Sequence, residues 1–109
     1  MANAYKVLGQ NDLAATTDTD VYTVPASTEA VISTIIIANR TTSSESFRIA
    51  IRPAGATIAD QHYIAYGVSI AANDSTTLTL GLTLATTDVV TVWASAVDLS
   101  VNVFGTEIS

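Results

Sequence analysis

The chain has 109 residues, of which 49% are apolar and only 13% charged, with a formal net charge of −6 and no cysteine. That length fits one domain with an ordinary core, and the absence of cysteine excludes disulfides, thiolate zinc sites, iron–sulfur clusters and cysteine nucleophiles. Four basic residues in all cannot build the cationic surface that releases counterions from duplex phosphates, so nucleic acid is excluded as a partner.

Taken in chain order, Val, Ile and Thr dominate, and their branched side chains favour extended backbone. The first ten residues, MANAYKVLGQ, lack the long apolar core of a signal peptide, so synthesis in the cytoplasm without Sec-type export is expected. Tyr5 to Leu8 is the first strand candidate, and residues 1–15 are open between a strand of the domain and an arm reaching a neighbour. Asp18 and Asp20 form a turn ahead of a strand over Val21 to Val24. VISTIIIA, residues 31–38, is apolar on both faces, as expected of a central strand covered on both sides or contacting another subunit. Its longest aliphatic run, Ile35 to Ala38, is far too short to span a membrane. NRTTSSES is a loop. In FRIAIRP, Phe47, Ile49 and Ile51 alternate with Arg48, Ala50 and Arg52 until Pro53 removes a backbone donor. After RPAGA come His62 to Tyr66 and then TLTLGLTL, with Leu78, Leu80, Leu82 and Leu84 on one face and Thr77, Thr79, Gly81 and Thr83 on the other. Val89 to Ala94 and Leu99 to Phe104 complete the set. About eight short strands with brief loops predict a single all-β domain, an antiparallel β-sandwich of jelly-roll or immunoglobulin-like type.

Catalytic candidates are few. His62 is the only imidazole, and no G-x-S-x-G elbow supplies a nucleophile for it. Asp12, Asp18 and Asp20 lack the spacing of a calcium loop and read as turn formers. Paired-carboxylate glycosidase chemistry would also need a deep sugar cleft. The expectation is no catalytic residue, no metal and no cofactor. Trp93, Tyr63 and Tyr66 could present a flat platform to a sugar ring, although Trp93 shares its parity with Val89 and Thr91 in a strand and fits a core or interface role. The sequons at Asn39 and Asn73 read as turns. Arg48 and Arg52 lie about 13 Å apart on one strand face, either solvated or meeting carboxylates such as Glu45 or Asp60 on the same or an adjacent chain.

Charged residues ordinarily make up about 25% of a soluble domain, and the mean hydropathy here is +0.41. Apolar area left in water is unfavourable by about 25 cal/mol per Å². Part of this surface is therefore expected to be covered by other copies or by a partner.

The strings DVYTVPAS, FRIAIRPAGA, HYIAYG, IAANDSTTLTLGLTLATTDVV and LSVNVFGTEI resemble a small virion structural protein of tailed bacteriophages, especially marine and cyanobacterial ones. The resemblance runs from about Tyr5 to Ile108. It implies a non-enzymatic component of the phage particle without cofactor, located in the virion after synthesis in the host cytoplasm. A capsid decoration or cement protein is the first expectation, a homo-oligomer, with a trimer favoured, bridging major capsid subunits. A tail, neck or baseplate component is the alternative, and a glycan-binding module of a fibre or surface decoration is a further one. Membrane is not an expected partner. On this reading Arg48, Arg52, His62, Tyr63, Tyr66 and Trp93 form a contact surface, because arginine and aromatic residues are enriched at interface centres.

Overall fold

A computed structural model describes residues 3–109. Eight strands run β1 (Asn3–Leu13), β2 (Thr19–Thr23), β3 (Glu29–Asn39), β4 (Glu45–Arg52), β5 (Tyr63–Ile70), β6 (Ser75–Leu84), β7 (Val89–Ala94) and β8 (Leu99–Ile108). They form two antiparallel four-stranded sheets, β1-β8-β3-β6 (sheet A) and β2-β7-β4-β5 (sheet B). First pairs with last, second with seventh, third with sixth and fourth with fifth. The chain is thus one long antiparallel ribbon wound on itself, with β3 joining β8 and β4 joining β7 where the winding brings them together. This is the jelly-roll connectivity, and it decides between the two sandwich types the strand pattern allowed. Asn3 to Leu13 pairs along β8 of its own chain; Met1 and Ala2 lie outside the described residues.

The core fills the space between the sheets. Ile32, Ile35, Ile37, Leu99, Val101 and Val103 of sheet A meet Phe47, Ile49, Val90 and Val92 of sheet B, all of them fully buried. Burying an aliphatic or aromatic side chain of this size stabilises the fold by about 1.5–3 kcal/mol. Ile32 and Ile35 both face inward although they are three positions apart, which simple alternation forbids. The register slips between Ile32 and Thr34, where two steps on β3 match one on β8, so against β8 Ser33 is an extra residue that resets the parity. β1 carries a similar slip between Val7 and Gly9, opposite Phe104 and Val103, whereas the β3 slip lies one step away at the level of Gly105 and Phe104. Gly105 sits at that level because a Cβ there would run into the Val31 carbonyl and the Ile32 Cα.

Buried Asn39 holds one end of the sandwich. Its amide donates to the carbonyls of Ser43, Ile70 and Ala71, and its oxygen accepts from the amide and hydroxyl of Thr41. Both sides of the group are consumed internally, which accounts for a polar residue at 2% exposure. The sequon asparagine is therefore a structural clasp.

Candidate functional site

Alternation places Arg48, Ala50 and Arg52 on the outer face of sheet B, opposite to Phe47 and Ile49. The register sets Tyr66 of β5 on one side of Arg48 and Trp93 of β7 on the other. The guanidinium carbon lies 4.3 Å from the Tyr66 ring centre and 3.9 Å from that of Trp93, over both rings. Tyr63 meets Tyr66 edge to face, with centres 4.9 Å apart. Trp93, Arg48, Tyr66 and Tyr63 thus form one continuous row across three strands, held by cation–π and aromatic contacts. The Arg48 Nε is enclosed without a hydrogen-bond partner.

Because Trp93 and Tyr66 direct faces at the guanidinium, those faces are not free for a sugar ring. The flat platform that the three aromatic residues could have formed is replaced by a row with an arginine inside it. Tyr66 remains 62% exposed, so the row is open to contact.

Arg52, on the same face, is in a different setting. Pro53 stops the ladder, and Ala54 and Gly55 take left-handed backbone conformations that turn the β4–β5 connection back on the sheet. Two short 3-10 turns follow, Pro53–Gly55 and Asp60–His62. Arg52 donates to the carbonyls of Ala56 and Gly55 at 2.8 and 3.0 Å, to Asp20 Oδ1 at 2.8 Å and to the Thr91 hydroxyl at 3.2 Å. Thr91 in turn donates to Asp20. The Asp88 carboxylate accepts from the Ala54 and Ala85 amides and fixes the turn from its other side. Ala50, Val89 and Thr91 are buried although they belong to the outer face. The carboxylate that Arg52 meets is Asp20, not the Glu45 or Asp60 that proximity in sequence suggested. Glu45 instead accepts from Ser43 and Ser95.

His62 is half-buried, and its Nδ1 accepts from the Ala59 amide at 3.1 Å. In its neutral form the ring therefore carries its proton on Nε2. The three aspartates considered for calcium are dispersed. Asp12 pairs with Arg40 at 2.6 Å and Asp20 with Arg52 at 2.8 Å, while Asp18 lies on the surface ahead of β2. Among the described residues no group of three His, Cys, Asp or Glu side chains is placed to hold a metal ion.

Two features escaped the reading of the sequence. Lys6 approaches Glu107 Oε1 at 2.6 Å, and the Tyr22 hydroxyl donates to Glu107 Oε2 at 2.7 Å. Hydrogen bonds from Lys6 and Tyr22 hold the Glu107 carboxyl below its ordinary range. Burial, reinforced by the Glu107 carboxylate, pushes the Tyr22 phenol well above its usual value. Nothing in the spacing of residues 6, 22 and 107 announces this triad, since three strands must first converge.

The second feature is the outer face of sheet A. Tyr5 and Val7 of β1 stand beside Thr106 and Phe104 of β8, and Val31, Thr34 and Ile36 of β3 continue the row. Tyr5 is 81% exposed and Val7 46%. Together with Ser33 and Phe104 they line an open depression. Alternation in AYKV carried a signal for Tyr5 and Val7, but Phe104 and Ile36 join them only through the register.

No helix among the described residues is long and apolar enough to cross a membrane. No family model and no curated protein matches this chain.

Proposed function

We propose that the protein is a non-enzymatic structural component of a tailed-phage virion, a decoration or cement protein that sits on the capsid as a homo-oligomer, favoured as a trimer, and bridges major capsid subunits. The observation that carries this reading is the apolar row on the outer face of sheet A. A sheet face turned to water is ordinarily polar, whereas this one presents Tyr5, Val7, Val31, Ile36 and Phe104. Removing such a row from water is the driving force for seating on a shell. The jelly roll supports the reading only by analogy, because viral capsid domains share it with lectins and cupins. The similarity of FRIAIRPAGA and LSVNVFGTEI to phage structural proteins supports it from the sequence.

The test is the position and copy number of the chain in a purified particle. Hundreds of copies on the head surface are expected. A ring number such as six or twelve would move the protein to the tail, neck or baseplate, and binding to a glycan array without binding to capsids would overturn the structural role. Tyr5→Asp should abolish attachment to capsids while leaving the β circular dichroism unchanged.

A further inference from the structure

The outer face of sheet B offers a second, chemically different surface. Lys6, Arg40 and Arg52 each contact a carboxylate of their own chain, at 2.6, 2.6 and 2.8 Å. Among the described residues Arg48 contacts none. Its guanidinium carbon lies over the rings of Trp93 and Tyr66, which come from the strands on either side, and its Nε is enclosed, so the two terminal Nη groups with their N–H fork are the part left for a partner. Stacking of this kind orients the fork in advance, and the group that matches two parallel N–H donors is a carboxylate.

The chain itself is rich in that group, with ten acidic residues against four basic ones. Two exposed carboxylates border this face without contacting a cation of their own chain among the described residues. Asp18 immediately precedes β2, where the register sets Thr19 against Val92 and so continues toward Trp93. Asp60 opens the 3-10 turn that leads directly into Tyr63. One face thus holds an oriented cation without a carboxylate and carboxylates without a cation. A surface carrying both is self-complementary, which is the condition for two copies to pair through the same patch.

We propose that the Arg48 slot receives a carboxylate from a second copy of this chain, pairing two molecules through the outer faces of sheet B, with Tyr63 and Tyr66 supplying aromatic area around the contact. This contact is two-fold, so it joins copies in pairs rather than making the favoured trimer itself, and it is independent of the apolar row on sheet A and adds to it.

Sedimentation velocity on the full chain, from micromolar to millimolar concentration, tests the proposal. The unaltered chain should self-associate. Arg48→Lys, which keeps the charge but loses the fork, should weaken association at least tenfold, with an unchanged circular dichroism spectrum and melting curve showing that the fold is intact. Arg48→Glu should abolish association, and combining it with Asp60→Arg or Asp18→Arg should restore it and assign the partner carboxylate. A chain that stays monomeric at the highest concentration overturns the proposal, as does an Arg48→Lys variant with an unchanged dissociation constant, or failure of both reversals to restore pairing. Tyr5→Asp, which tests the sheet A reading through capsid attachment, should leave this association unchanged, so failure of one reading is distinguishable from failure of the other.

Discussion

Arg48 and Arg52 leave one strand on one side, four residues apart, and meet opposite fates. Arg52 spends its donors on two carbonyls, a hydroxyl and Asp20 of its own chain, under a connection that folds back across the sheet. Arg48 lies between two rings with an unpartnered Nε. The residue type, strand and face are the same, so the difference comes from the connection that follows β4. Pro53 cannot extend the ladder, and the left-handed Ala54 and Gly55 send the backbone carbonyls toward Arg52. One end of the face is thereby sealed as structure, and the other is left as surface.

Breaking the two ends should therefore have unequal costs. The largest effect is expected from Arg52→Ala, which leaves the Thr91 hydroxyl and two turn carbonyls without their donor and Asp20 with only the one from Thr91. A loss of about 2–3 kcal/mol is expected from hydrogen bonds involving a charged group, read as a lowered denaturation midpoint together with faster proteolysis within residues 53–62. Asp88→Ala attacks the same end by freeing the Ala54 and Ala85 amides, and should cost about 1–2 kcal/mol by chemical denaturation. Arg48→Ala should cost less than either, about 0.5–1 kcal/mol for the lost cation–π contacts, and should shift the emission of Trp93, the only tryptophan. A melt in which Arg48→Ala falls further than Arg52→Ala would reverse the comparison.

A smaller effect, confined to acid, sharpens it from outside sheet B. Lys6, like Arg52, is paired, and its partner Glu107 is held below its ordinary value of 4.5 by bonds from Lys6 and Tyr22. As pH falls, the unfolded chain takes up this proton first. The stability contributed by Glu107 is therefore complete above pH 4.5 and is lost as pH falls through the lower native value. Lys6→Met should flatten this part of the profile of melting temperature against pH, whereas Arg48→Met should leave its shape as it is.

By itself the sequence determined the class of fold and, where no bulge intervenes, the membership of its faces. Val, Ile and Thr alternating between turn residues specify strands, and each of the eight strand candidates lies within or overlaps an observed strand, because alternation is a local property of the chain. It also determined that Arg48 and Arg52 share a side and that Pro53 ends their strand. Only the tertiary structure decided the winding of the ribbon, the bulge at Ser33 that lets both Ile32 and Ile35 face the core, and the convergence of Lys6, Tyr22 and Glu107. It likewise placed Trp93 and Tyr66 on either side of Arg48 and gave Asp20 to Arg52. These outcomes depend on register between strands distant along the chain, and register is set by the whole core closing at once rather than by any segment's own preference.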